Sequence, residues 1–395
     1  MVAPARRLRI LCVIPSLGQA GAERYLFEYA RALDPARFEI EVLTTAQTTD
    51  ADYFCRELRA RGVVVHCTIP ASRLDVVTAL LPDRRRLRPL RAAVARADAA
   101  LANAERALRF RSFLRGFDVI SFLQIEAYFL LQGALADNDR VLIHLMSHRF
   151  QYPSSPYDRL LPGRKYRCLV FDPNQAEELR GTAAEGAETT FVPLALDLTG
   201  RDAIYAPSPV GRRRIAVYSR IDPSRRLEPL LYALQGLVRR VDAELWLYGR
   251  GDTAALLAML DTLRIRDRVV LPGHQEDLEG ALRRDQPHLV WMASVGAALG
   301  YARLEVGSLG FPIAFYSFGA ESEESVRART GGAVNAFASV PDLVDYSTRM
   351  LADPPGLVAL GARLRDYITE TNDVKTSVRL LEAQYERVAA GQPRS

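Results

Sequence analysis

Short runs of branched and aromatic residues recur along this sequence with longer helical patterns between them. That alternation constrains the chain to parallel strands joined by crossover helices. Leu8 to Ile14 reads as strand, Glu23 to Leu33 as helix and Phe38 to Thr44 as strand. Arg56 to Arg61 and Val63 to Cys67 repeat the pair, and Ala92 to Leu114 is an Ala-rich, Arg-rich helical stretch. Val119 to Phe122, Arg140 to Met146, Cys168 to Asp172 and Thr190 to Pro193 complete a first block of strands. A second block opens at Ile215 to Tyr218 and continues through helix Leu227 to Arg240, strand Glu244 to Tyr248, helix Thr253 to Leu263 and strand Val269 to Leu271. His288 to Met292, a helix opened by Glu305 and Ile313 to Tyr316 follow.

Between the blocks, Leu198 to Arg214 carries Pro207, Pro209, Gly211 and three consecutive arginines without periodicity, so it reads as a linker. A chain of 395 residues exceeds the size at which one core stops growing. The expected organisation is a first domain over 1–197, a linker over 198–214, a second domain over 215–373 and a helical segment over 374–395, with Val374 to Ala389 as its helix. Both domains are α/β and doubly wound.

Composition narrows the function classes. No apolar run approaches the roughly 20 residues that span a bilayer, and Met1 to Leu17 reads as a first strand rather than a secretory signal, because Pro15 interrupts its short apolar run. Cys12, Cys55, Cys67 and Cys168 are scattered without metal-type spacing, the usage of a reducing compartment, so a cytoplasmic location is expected. Net charge is a modest +5, but the stretch Arg84 to Arg115 holds ten arginines against Asp98 and Glu105. Such a face is solvated, or rests on anionic lipid with help from Leu108, Phe110, Phe113 and Leu114. Few aromatics are interleaved and no recognition module is visible, so nucleic acid is not expected.

Several strand-to-helix turns carry residues suited to anions. After the first strand, Gly18, Gly21 and Ala22 open a helix whose backbone amides could face a phosphate or an acceptor. After Tyr218 come Ser219, Arg220, Ile221, Asp222, Pro223, Ser224 and Arg225, placing Arg220 and Arg225 on one loop where two guanidinium groups can clamp a diphosphate. Gly249 and Gly251 end the strand Glu244 to Tyr248, and Gly273 with His274 ends the next. Beyond Met292, the small residues Ala293 to Ala298, then Leu299 and Gly300, let backbone approach a phosphate, and Glu305 stands where a carboxylate could grip ribose hydroxyls. His148 follows the strand Arg140 to Met146, at the strand end where open sheets place ligands, with His144 as the second choice.

The stretch Ala293 to Pro312 resembles glycosyltransferase family 4, whose members carry Ser at Ser294, Gly at Gly300, Glu at Glu305 and Gly-x-Pro at Gly310 to Pro312. The entry Gly21-Ala22-Glu23-Arg24 is similar to the family's Gly-Gly-Ala-Glu-Arg, and Arg220 with Arg225 resembles its Gly-Arg followed by Lys. Ser219 and Arg225 depart from that pattern. So does Ala297, which stands where the family has the first Glu of a pair, the one beside the transferred sugar.

The resemblance implies a GT-B architecture, two Rossmann-like domains facing a central cleft, the first on the acceptor side and the last helix crossing back to it. It implies sugar transfer from a nucleotide diphosphate sugar to a hydroxyl of a glycan or lipid-linked acceptor, with retention of configuration, in glycan, polysaccharide or glycolipid assembly. Arg220 and Arg225 would stabilise the departing diphosphate and His148 would orient the sugar. Gly21, Gly249, Gly251, His274, Ala298, Leu299, Gly300 and Glu305 would line the nucleotide sugar. No metal or other cofactor is implied, and contact with the inner face of the membrane through Arg84 to Arg115 is compatible with a lipid-linked acceptor. Ala297 admits two outcomes: a transferase with an unusual donor, or one in which Glu321 or Glu323 reaches in. It also admits a different class, a non-catalytic nucleotide-sugar-binding partner or sensor.

Overall fold

The computed structural model describes residues 6–46, 48–49, 51–67, 108–135, 137–149, 155–161, 163–207, 211–294, 300–318 and 323–391. They fall into two compact units, Met1–Ala195 with Val374–Ser395, and Leu196–Asp373.

The first unit is built on seven parallel strands: β1 (Leu8–Ile14), β2 (Phe38–Thr44), β3 (Val64–Cys67), β4 (Val119–Phe122), β5 (Val141–Leu145), β6 (Arg167–Val170) and β7 (Glu188–Phe191). Their order in the sheet is β3-β2-β1-β4-β5-β6-β7. The chain therefore winds outward from β1 in one direction and from β4 in the other. Strand β1 pairs with β2 from Leu8↔Phe38 to Ile14↔Thr44 and with β4 from Ile10↔Val119 to Val13↔Phe122. Its residues Ile10 to Ile14 are all buried, as a strand covered on both faces requires.

Two helices show how one face is covered. Helix Gly21–Ala32 buries Tyr25, Leu26 and Tyr29 along one stripe. Helix Val374–Ala390 buries Val374, Val378, Leu381, Tyr385 and Val388 at the alternating four- and three-residue spacing of a single helical face. Its Tyr385 ring lies 6.1 Å from Phe38, and Glu382 accepts from Arg37 at 2.8 Å. The last helix thus belongs to the first unit, although 178 residues of the second unit precede it.

The second unit carries β8 (Arg213–Tyr218), β9 (Ala243–Tyr248), β10 (Val269–Gly273), β11 (Leu289–Ser294), β12 (Ile313–Ser317) and β13 (Asn335–Phe337). All are parallel, in the order β10-β9-β8-β11-β12-β13. Trp291 of β11 is fully buried and donates its indole N–H to Ser347 Oγ at 3.0 Å, which satisfies the one polar atom that such burial would otherwise strand.

Two sequence expectations are corrected here. Much of Leu198 to Arg214 is not a free linker: Ile204 N donates to Leu309 O at 2.9 Å, Tyr205 Oη donates to His288 O at 2.7 Å, and β8 already starts at Arg213. Proline and glycine signalled irregular backbone, and irregular backbone can still be packed. The helix read as opening at Glu305 begins at Tyr301, with Gly300 as its N-cap, so Glu305 lies in its second turn.

Candidate functional site

In the second unit the strand order reverses between β8 and β11. This is the position at which doubly wound sheets take ligands. The loop after β8 holds Arg220 and Arg225, whose Nε atoms lie 3.6 and 4.0 Å from the same Asp222 Oδ2. Both side chains remain substantially exposed, at 63% and 44%. Burial, followed by the like charge of Arg220, pushes the Arg225 guanidinium below its usual pKa, and Asp222 works in the opposite sense. Two cations are thus held together by one carboxylate.

The two glycines after β9 have a role independent of any ligand. A Cβ on Gly249 would stand 1.8 Å from Ser219 O, and one on Gly251 would stand 1.9 Å from Ile221 O. Ser219 N donates to Tyr248 O at 3.0 Å and Ile221 N to Arg250 O at 3.0 Å, so the arginine loop is laced to the loop after β9. Gly249 N donates to Gly273 O at 3.1 Å, which brings the exposed His274 to the same end of the sheet. Below the loops the rings of Tyr218 and Tyr248 stack at 4.7 Å and 13°, and Tyr248 Oη donates to Asp285 Oδ2 at 2.7 Å.

Gly300 behaves differently. A Cβ there would meet nothing within 4 Å, and the N-cap makes no side-chain hydrogen bond to the helix Tyr301–Ser308. The first backbone N–H groups of such a helix have no intrahelical partner and suit an anion. Ser308 Oγ donates to Glu305 O at 2.9 Å, one turn further along. Ala297, Ala298, Leu299 and Glu321 lie outside the described residues, and Glu323 is the first residue of helix Glu323–Arg329.

In the first unit, Gly21 starts the helix after β1, and a Cβ on Gly18 or Gly21 would likewise meet nothing within 4 Å. Buried Glu23 accepts from Ser16 Oγ at 3.0 Å, closing the loop on itself; burial raises its carboxyl pKa. His148, three residues beyond β5, is buried, and its Nδ1–H donates to Glu178 Oε1 at 2.7 Å, while Nε2 lies 3.9 Å from Asp172 Oδ2. Asp172 is fixed by the capping box that opens the turn Pro173–Leu179. His144, the second choice, is instead a core residue: it is 1% exposed, Nε2 meets Ser121 Oγ at 2.7 Å, and burial pushes its pKa down to about 3.

Of the stretch Arg84 to Arg115, residues 84–107 lie outside the described residues. Residues 108–114 are helical, with Phe110 and Leu114 in the core and Leu108 80% exposed. Among the described residues no helix is long and apolar enough to cross a membrane, and no group of His, Cys, Asp and Glu is placed to hold a metal ion.

Sequence reasoning missed Asp222 as the shared counter-ion and Glu178 behind His148.

The sequence matches no known family profile and no curated protein. Solved structures do match. The chain is similar to Anabaena HepE, solved with UDP and glucose, at 15% identity and a TM-score of 0.69, over 96% of this chain and 100% of that one. It is similar to the apo form of WaaB, a lipopolysaccharide outer core galactosyltransferase, at 12% identity and a TM-score of 0.70, over 96% and 100%. Sucrose-phosphate synthase from Thermosynechococcus elongatus matches at 15% identity and a TM-score of 0.67, over 98% and 100%. With its two parallel-sheet, Rossmann-like units, the chain therefore has the α/β GT-B fold of these glycosyltransferases.

Proposed function

We propose that the protein transfers a sugar from a nucleotide diphosphate sugar to a hydroxyl of a glycan or lipid-linked acceptor. The observation that carries this reading is the pairing of Arg220 and Arg225 about Asp222 at the strand-order reversal of the second unit. HepE, solved with UDP and glucose, lends support through the shared fold.

In this reaction the bond between the anomeric carbon and the phosphate oxygen breaks, and its electron pair leaves on the diphosphate. The acceptor oxygen forms the new bond to that carbon, and its proton passes to a phosphate oxygen on the same face, which retains the configuration. Negative charge grows on the diphosphate, and the protein's task is to meet it with fixed positive charge. Arg220 and Arg225 do so in place of a divalent ion, and the helix start at Gly300 offers backbone amides. Glu305 holds the ribose, Gly21 opens the acceptor loop of the first unit, and His148, held by Glu178, orients the sugar. Exposed Leu108, with Arg109, Arg111 and Arg115 exposed nearby, supports an acceptor presented at an anionic membrane surface.

A second reading, a nucleotide-sugar-binding partner without turnover, is favoured by Ala297 at the position where the resembled family has a carboxylate. Thermal shift with UDP, GDP and other nucleoside diphosphates tests the site, and stabilisation by none of them would remove both readings. NMR observation of donor hydrolysis then separates the two. Binding with hydrolysis supports the transferase, and binding without it supports the partner.

A further inference from the structure

Arg226, next to Arg225 in the loop after β8, holds its backbone in the left-handed region at φ 48°. Arg264 and Gln286 share that conformation, and each closes a helix, Ala254–Leu263 and Leu278–Asp285. Arg226 follows only the short turn Pro223–Arg225, where glycine would take the same backbone without strain. Its guanidinium carbon stands 4.3 Å over the ring of Phe318, the first residue past β12. Tyr316 meets that ring edge-on, at 5.1 Å and 71°.

Arg226 is exposed and Phe318 half-buried. An exposed cation–π contact returns no more than the left-handed backbone costs an L-residue, so stability alone does not account for an arginine at this position. The strand order supplies another reason. Because β11 lies between β8 and β12, Arg226 joins the loop after β8 to the end of β12, two strands away, across the carboxyl end of β11. Among the described residues its guanidinium makes no ion pair and no hydrogen bond, whereas Arg220 and Arg225 share Asp222. A guanidinium seated by its face keeps its N–H donors, which lie in the ring plane, free for an oxyanion.

We propose that Arg226 is a third cation of the donor site. A diphosphate at the end of β11 is met by Arg220 and Arg225 from the β8 side and by Arg226 from the β12 side. The inference rests on the nucleotide-sugar reading and adds to it a residue whose contribution is to binding rather than to the fold.

Calorimetric titration of the full chain, Arg226→Gly and Arg226→Lys with pyrophosphate and with the mono- and diphosphates of uridine and guanosine tests it, alongside urea unfolding of each. Arg226→Gly is expected to lose about tenfold in affinity for pyrophosphate and for the nucleoside diphosphate that the wild type binds, and to keep its affinity for the monophosphate. Its unfolding midpoint should be unchanged or higher, since glycine relieves the left-handed backbone. Arg226→Lys, which keeps the charge, recovers part of the loss. Should Arg226→Gly unfold more readily than the wild type, that recovery decides, and its absence overturns the inference. An Arg226→Gly variant that binds as the wild type does, or weakens the monophosphate as much as the diphosphate, overturns the inference while the nucleotide-sugar reading stands. A wild type that binds none of these ligands overturns both.

Discussion

Gly249 and Ser219 approach so closely that a Cβ on residue 249 would lie 1.8 Å from the Ser219 carbonyl oxygen. The backbone of one loop is thus the wall against which the arginine loop is built. Gly249→Ala is expected to cost about 1–3 kcal/mol, as overpacking does, and to weaken nucleotide binding by displacing Arg220. Gly300→Ala, whose Cβ would meet nothing within 4 Å, should cost no more than about 1 kcal/mol, as a poorer N-cap, and weaken nucleotide binding. Denaturant unfolding and calorimetry of the two variants check the contrast.

Arg220→Ala removes one of the two cations that meet the growing charge on the diphosphate. Turnover should fall about 100-fold, the usual consequence of losing a single electrostatic donor. Donor hydrolysis followed by NMR measures it, and unchanged turnover would remove Arg220 from the mechanism.

The pKa of His144, lowered from 6.5 to about 3, makes stability depend on pH. Below pH 6.5 the unfolded chain takes up a proton that the buried ring refuses. The folded state is therefore fully supported above that value and loses stability progressively as pH falls toward 3. Urea unfolding at pH 7 and pH 5 should show a smaller difference between the two pH values for His144→Gln than for the wild type.

Ser347→Ala leaves the indole N–H of the fully buried Trp291 without its acceptor at 3.0 Å. A loss of about 1–3 kcal/mol is expected in unfolding experiments, the cost of stranding a buried donor.

Strands were legible because short runs rich in branched and aromatic residues mark strands of a parallel sheet. Leu8–Ile14, Phe38–Thr44 and Val119–Phe122 fall at the expected residues. Strand β13 was missed because Asn-Ala-Phe is too short to show a pattern. Helices Leu278–Asp285 and Pro354–Asn372 were missed because charged or glycine-bearing faces dilute their periodicity. At the candidate site, Arg220 and Arg225 were readable from their spacing on one loop. Asp222 lies within that loop, but a shared counter-ion is a fact of geometry. Gly249 and Gly251 showed the limit of such reading, since a glycine beside a ligand and a glycine beside another loop look alike in sequence. Glu178 lies 30 residues from His148 and only the turn Pro173–Leu179 brings it there.

The packing of helix Val374–Ala390 against the first unit decides how the protein can be divided. Residues 196–373 form one uninterrupted stretch and can be cut out as a single piece. A fragment ending at residue 195 would instead lack the cover over Phe38 and leave Glu382 missing beside Arg37. Dissection into halves therefore favours the arginine-bearing unit, and its partner half has to be assembled from both ends of the sequence.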